Sequence, residues 1–273
     1  MTASPLPAGE AEPFLLTSRD GPVARLTLNR PRAMNCLSLA MLAELQKALD
    51  DAAADPSVRA VIIDAHGKGF CAGHDLKEMT AHRTDSDGGR VYYEQLFDDC
   101  SRMMLTIRNL PLPVIAQVQG IATAAGCQLV AACDLAVASD VARFGVNGVD
   151  SGLFCSTPMV PLSRNIPAKA AMEMLVLGEI VDAERARELG LVNCVVAPED
   201  LEAKAAEFAA RAAAKSKAVV ALGKRAFYRQ REMGIEDAYR YTSKVIVDNM
   251  MMRDAEIGIA AFIGKTDPEW KDE

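Results

Sequence analysis

The residues best suited to chemistry lie in two glycine-bearing turns. The first is Gly67-Lys68-Gly69-Phe70-Cys71-Ala72-Gly73-His74-Asp75-Leu76. The second runs from Gly120 through Ala125-Gly126-Cys127-Gln128 into an apolar helical stretch that ends at Cys133-Asp134. Small residues let a ligand approach the main chain, and a helix N-terminus offers unpaired N–H groups at the positive end of its dipole. Two such N–H groups aimed at one point would stabilise an oxyanion. Gln128 is the polar side chain of the apolar helix, one turn after Ala125 and on the same face. An amide there can orient a water or a carbonyl, but it exchanges no proton near neutral pH.

Further candidates surround these turns. His74 follows the first turn directly, and His82 lies in a polar segment, 80–90, that could close over a ligand. Either is a candidate base. His66, His74 and His82 lie close together but without the i, i+4 pairing of a helical metal site, so no metal centre is expected. Cys155, Ser156 and Thr157 supply a thiol and two hydroxyls with no base beside them in sequence. Asp150 is the nearest carboxylate, read as a turn cap or as a group facing an acyl pocket.

The elements that must position these residues alternate. Segments 14–17 and 23–28 flank Asp20-Gly21 and read as a β-hairpin. Ser38 caps a helix to residue 50 that carries Leu39, Leu42, Leu45 and Leu49 on one face. β-Branched runs at 58–64 and 113–118, and a further strand at 135–138, are separated by a helix over 92–109 and by the Gly120 helix. This rhythm predicts an α/β core with mostly parallel strands. Beyond about residue 199 only helical, alanine-rich segments follow. The division predicted is a disordered arm at 1–12, an α/β core at 13–199 and a helical oligomerisation region at 200–273.

Half of the 273 residues are apolar, a quarter are charged and the net charge is -7. That balance argues against a nucleic-acid partner, and no run is long enough to span a bilayer. The N-terminal residues have neither a basic nor an apolar block, so no targeting segment is expected. Seven cysteines without a CxxC pair read as reduced thiols, and the protein is expected in the cytoplasm.

Phe70-Cys71-Ala72-Gly73-His74-Asp75-Leu76, Gly126-Cys127-Gln128-Leu129 through Cys133-Asp134, and Phe144-Gly145 together resemble the enoyl-CoA hydratase/isomerase (crotonase) family. Leu28-Asn29-Arg30-Pro31, Gly190-Leu191-Val192-Asn193, and Ala261-Phe262 with Pro268 and Trp270 extend the resemblance over nearly the whole chain. It implies an α/β spiral of repeated ββα units, a C-terminal helical trimerisation region, and a homotrimer or hexamer. The implied ligand is an acyl-CoA thioester; CoA is then part of the substrate, and no separate cofactor is expected. By motif position the N–H groups of Ala72 and Ala125 would cradle the thioester oxygen. Arg32, Ala33 and Met34 would lie along the pantetheine and adenine, Ala72, Asp75 and Leu76 at the adenine edge, and Lys265 at the CoA phosphates, often a neighbour's.

The resemblance also exposes a departure. Hydratases of this family use two glutamates, and their positions here are Gln128 and Gly148. A third station, an aspartate in dienoyl-CoA isomerases and chlorobenzoyl-CoA dehalogenases, is Ser156. The stretch from Gly152 to Pro158 is similar to the enoyl-CoA hydratase domain-containing subgroup, which also has glutamine in the helix. General acid–base groups contribute about 100- to 10,000-fold each, so weak or absent hydratase activity is expected. Three readings follow: an acyl-CoA enzyme of another reaction type, a non-catalytic acyl-CoA binder, or an oligomeric scaffold with a vestigial pocket.

Overall fold

The computed structural model describes residues 13–273; the arm expected at 1–12 lies outside the described residues. The strands are β1 (Leu15–Asp20), β2 (Val23–Leu28), β3 (Ala60–Ala65), β4 (Gly69–Cys71), β5 (Val114–Val118), β6 (Ile121–Thr123), β7 (Leu135–Ser139), β8 (Arg143–Gly145), β9 (Ile180–Asp182) and β10 (Cys194–Val196). The helices of the core are α1 (Leu39–Ala54), α2 (Leu76–Ala81), α3 (Arg90–Asn109), α4 (Ala125–Ala132), α5 (Met159–Asn165), α6 (Ala168–Leu177) and α7 (Ala183–Leu189). Four more close the chain: α8 (Leu201–Ala213), α9 (Lys217–Gln230), α10 (Ile235–Met250) and α11 (Arg253–Gly264).

The strands build two sheets, one of six in the order β1-β2-β3-β5-β7-β10 and one of four in the order β4-β6-β8-β9. β1 and β2 form the expected antiparallel hairpin, and the other pairs of the large sheet are parallel. Each of β3–β4, β5–β6 and β7–β8 sends its first strand to the large sheet and its second to the small one, then passes into helix. That is the α/β spiral of repeated ββα units. Because successive turns stack, the chain leaving β4 lies beside the chain leaving β6.

Sequence dictates these elements locally. Ser38 caps α1 by accepting from the Met41 N–H at 3.2 Å, and Met41, Leu42, Leu45 and Leu49 are buried against the sheet. Leu96, Met103 and Ile107 are buried on α3, which packs against α1 and α4. The opposite face of the large sheet is covered by α8, whose Leu201, Ala205, Ala209 and Ala213 pack on Ala60, Ile62, Ile115 and Val137. A small-residue stripe lets this helix approach closely. The 199/200 division therefore falls at the start of a helix that contributes to the core.

A buried polar set fixes α9 to the core. Lys224 Nζ reaches Asp134 Oδ2 at 2.6 Å and the carbonyls of Ile107 and Leu112 at 2.9 and 2.8 Å. Tyr228 donates to Asp134 Oδ1 at 2.9 Å, and the Val114 N–H donates to Oδ2 at 2.8 Å. Ile246, Met250, Met251, Ile259 and Phe262 on α10, α11 and the intervening turn are all exposed in the single chain. Among the described residues, no helix is long and apolar enough to cross a membrane.

Candidate active site

The two turns are packed backbone to backbone. A Cβ on Gly126 would collide with the Cys71 carbonyl oxygen. One on Gly73, whose φ is +96°, would stand 2.9 Å from the Ala124 Cβ and 3.3 Å from the Ala125 nitrogen. Glycine at both positions is what lets the first turn lie against the start of α4. Ala124 has φ 49° and ψ -118° despite its side chain, a conformation that costs on the order of 1–3 kcal/mol and persists only where neighbours enforce it. Its N–H donates to Gly145 O at 2.9 Å and its carbonyl accepts from the Gln128 N–H at 3.0 Å. The Ala125 N–H, first of α4, has no intrahelical partner.

The first turn corrects one expectation. The Ala72 N–H donates to Met34 O at 3.0 Å and is not free to hold a ligand oxygen. Leu37 N–H donates to Gly73 O at 2.8 Å and Asp75 N–H to Leu37 O at 3.3 Å, an isolated parallel bridge between Leu37 and His74. In such a bridge alternate residues turn to opposite sides, and the His74 N–H donates to no group among the described residues. The free donor is therefore at His74, two residues beyond Ala72. Both positions flank Gly73, and the choice between them is made by segment 34–37, which is remote in sequence.

Gln128 is 4% exposed, and its Oε1 is buried without a hydrogen-bond partner. Such a group costs on the order of 1–3 kcal/mol unless a ligand or water satisfies it. The side chain lines a cavity of about 220 Å³ between α3, α4, α5 and α9. Met104, Leu105, Ala131, Ala132, Val160 and Pro161 make its walls apolar, and Thr157 adds a hydroxyl. Gln128, which lines the cavity, lies one turn along α4 from the Ala125 N–H; Ala125 and the first turn are not part of the lining.

The second carboxylate position is closed rather than merely empty. A Cβ on Gly148 would stand 2.5 Å from the Leu153 carbonyl oxygen and 2.9 Å from Cys155 Sγ. Cys155 is buried, and burial pushes its thiol pKa up; the Cys127 thiol beside it is pushed up to about 12 by burial first and by Cys155 second. Both are neutral thiols, poor nucleophiles and poor bases. Ser156 is exposed and its hydroxyl donates to Phe154 O at 3.3 Å. Asp150 packs at Gly178, where a Cβ would lie 2.8 and 2.9 Å from the two carboxylate oxygens. The carboxylate thus sits at the end of α6 and does not line the Gln128 cavity.

The positions carried over for CoA fall in several places. Met34, at φ 50°, reaches over Gly69 with its side chain and holds Ala72 with its carbonyl. Arg32 is exposed, Ala33 half-buried, and Leu76 exposed at the start of α2. Asp75 caps α2 through the N–H groups of Lys77 and Glu78 at 3.1 and 3.3 Å and pairs with Arg30 Nη2 at 3.2 Å. Lys265 is exposed at the left-handed end of α11.

The histidines are engaged separately. His74 Nδ1 donates to Leu37 O at 3.3 Å, its ring meets Phe97 edge-on, and Nε2 is buried without a partner. Burial lowers its pKa, so the ring is a neutral base with its free lone pair at Nε2. His82 pairs with Asp85 at 2.8 Å and stacks on Tyr92, and His66 bonds Asn29 at 3.1 Å.

The chain is similar to known proteins over most of its length. A sequence profile of the family described as enoyl-CoA hydratase/isomerase matches residues 18–273. A Xenopus laevis protein named enoyl-CoA hydratase domain-containing protein 3, mitochondrial, is 46% identical over 258 residues, 94% of this chain and 86% of that protein. The human protein of that name is 45% identical over 273 residues, 98% of this chain and 88% of its own. A crystal structure described as enoyl-CoA hydratase from Mycobacterium smegmatis is 55% identical with a TM-score of 0.90, covering 95% of this chain and 99% of that one. The crystal structure of human enoyl-CoA hydratase domain-containing protein 3 is 44% identical with a TM-score of 0.89, covering 94% and 100%. The vertebrate relatives are named mitochondrial, which overturns the cytoplasmic placement expected from the N-terminal sequence.

Proposed function

The chain belongs to the enoyl-CoA hydratase/isomerase family, and from that premise we propose that it binds an acyl-CoA thioester and polarises its carbonyl between the N–H groups of His74 and Ala125. The observation that carries this reading is the close approach of the two turns with both donors unspent, and Gln128, one turn on from Ala125, lining a mostly apolar cavity. A well-placed donor of this kind stabilises a developing oxyanion by roughly 3–4 kcal/mol. The chemistry is enolate or acyl chemistry without the two-carboxylate hydration step: double-bond isomerisation, decarboxylation or thioester hydrolysis. Gln128 orients the substrate or a water, and His74 Nε2 is the nearest unspent base in sequence to the donors. No cofactor is required beyond the CoA carried by the substrate. The exposed apolar side chains of α10 and α11 support a homotrimer or a pair of trimers.

A second reading, a non-catalytic acyl-CoA binder, is favoured by the filled space at Gly148 and by the amide at Gln128. One experiment separates the two. Purified protein is incubated with enoyl-, dienoyl-, malonyl- and aromatic acyl-CoA thioesters and the products are read by mass spectrometry, with calorimetry on the same panel. Turnover of any member supports an enzyme. Binding without turnover supports the second reading, and no binding at all refutes both.

A further inference from the structure

The cavity beside Gln128 has an inner end and a mouth that differ in charge. Gln128 is 4% exposed, whereas the side chains of Arg108 and Arg164 are 28% and 48% exposed, and Arg231 completes the same rim. Two of these guanidinium groups, Arg108 and Arg164, share one carboxylate, Glu232. Arg108 Nη2 donates to Glu232 Oε1 at 3.0 Å and to Tyr228 O at 3.0 Å, and Arg164 Nε stands 3.6 Å from the same Oε1. Arg231 Nη2 donates to the Arg164 carbonyl. Among the described residues, Arg108 Nη1 and Nε, Arg164 Nη2, and Arg231 Nη1 and Nε make no hydrogen bond. Three cations against one anion leave an excess of two positive charges at the end of an otherwise apolar cavity.

We propose that this cavity accepts an acyl group whose far end is a carboxylate, held by the unspent donors of Arg108, Arg164 and Arg231. The inference rests on the acyl-CoA reading above and deepens it by naming the class of acyl group. Forked guanidinium donors match a carboxylate in geometry as well as charge. The cavity also runs along a short stretch of helix: α4 rises about 9 Å from Ala125 to Ala131, whose carbonyl accepts from Asn165 Nδ2, the residue after Arg164. At about 220 Å³ the cavity is smaller than the roughly 300–1,000 Å³ typical of ligand pockets, which favours a short acyl group over a fatty chain.

The test compares glutaryl-CoA with valeryl-CoA by calorimetry on the full-length protein. The two thioesters carry identical CoA phosphates, so their difference reads the terminal carboxylate alone. Wild type is expected to bind glutaryl-CoA about fivefold or more tightly, a gain discounted for the partial exposure of the arginines. Arg164→Gln with Arg231→Gln should bring the ratio near one. Glu232→Gln removes the competing anion and should raise the ratio, a direction that a merely structural role for Glu232 does not give. Equal affinity for the two thioesters in wild type overturns the inference and leaves the acyl-CoA reading standing. Failure of both to bind overturns the reading and the inference with it. Tighter binding of glutaryl-CoA that persists unchanged in the arginine variants also overturns the assignment of these residues.

Discussion

Restoring the two missing acids should not restore a hydratase, because one of them has no room. In Gly148→Glu the new Cβ would lie 2.5 Å from the Leu153 carbonyl oxygen and 2.9 Å from Cys155 Sγ. The first contact is with backbone, in a turn tied by Leu153 N–H to Gly148 O at 3.0 Å, so it is relieved only by moving segment 148–155. Overpacking of this kind costs about 1–3 kcal/mol. At roughly 2–4 °C per kcal/mol for a chain of this size class, Tm should fall by about 2–12 °C. Gln128→Glu has no such obstacle, since the replacement is isosteric and the cavity is already there. Burial at that site should raise the new carboxyl above the ordinary value of about 4.3. With one proton-handling group, hydration of crotonyl-CoA should rise by a factor of about 100 or more from a background about 1,000-fold or more below a two-glutamate relative. The double variant should hydrate no faster than Gln128→Glu alone. The assay is loss of the enoyl thioester absorbance beside a thermal melt. A double variant that hydrates about 100-fold faster than the single one at unchanged Tm would refute the steric argument.

Four further outcomes are expected. Ala125→Pro removes one donor at a helix position that accepts proline, so folding should survive while preference for enolate-mimicking CoA analogues is lost; unchanged preference in calorimetry means the two turns do not hold one oxygen. Burial depresses the folded-state pKa of His74, so its contribution to stability is full above the unfolded value near 6.5 and is lost as pH falls through the folded value, at up to about 1.4 kcal/mol per pH unit. His74→Asn keeps a donor for Leu37 O without titrating, and its Tm should fall less than wild type between about pH 7.5 and 5; parallel curves exclude this role. Lys224→Met leaves Asp134 without its cation in a site where Lys224 is 8% exposed, so urea unfolding should show a loss of about 3–5 kcal/mol, partly recovered by adding Asp134→Asn. Phe262→Glu, at a side chain 87% exposed in the single chain, should shift light scattering from a trimer or hexamer toward the 29.3 kDa protomer; a wild-type mass of one protomer would remove the premise.

Most of the large sheet was legible, β3 and β5 because each is a β-branched run with turn signals beside it, but its edge strand β10, three residues long, was not read. β4, β6 and β8 are three residues each, too short for alternation to register. The Gly120 turn accordingly reads as running directly into helix, although β6 intervenes. The two turns were legible as places where a ligand could approach the main chain; that Gly73 and Gly126 instead let one turn's backbone lie against the other's was not. Which N–H the first turn leaves free was not, because Met34 and Leu37 decide it from about forty positions away by spending Ala72 and turning His74 outward. Gly148 could be seen as an absent acid, but the Leu153 carbonyl and Cys155 thiol that occupy its space come from a loop whose path no local pattern encodes. The arginine rim escaped for the same reason: Arg108, Arg164 and Arg231 lie on three elements that meet only in the folded chain.

The absence of both acids and the presence of a basic rim have a common electrostatic consequence. A glutamate at position 128 would place a negative charge in the lining of the cavity, within reach of an anionic acyl group entering it. At about 6 Å and an effective dielectric near 20, two like charges repel by roughly 3 kcal/mol, which weakens binding by about two orders of magnitude. An amide at Gln128, no side chain at Gly148 and neutral thiols at Cys127 and Cys155 remove that term. On the proposed reading, the N–H groups of His74 and Ala125 would stabilise negative charge on a thioester oxygen while Arg108 and Arg164, paired with Glu232, would stabilise it at the rim. The absence of paired carboxylates and the acceptance of an acyl carboxylate would then have one electrostatic cause. Gln128→Glu should therefore act oppositely on the two thioesters' relative affinity: glutaryl-CoA binding should weaken more than valeryl-CoA binding as the new acid ionises. If the ratio between them does not move from about pH 6 to 8 in that variant, the charge at position 128 does not act on the acyl group.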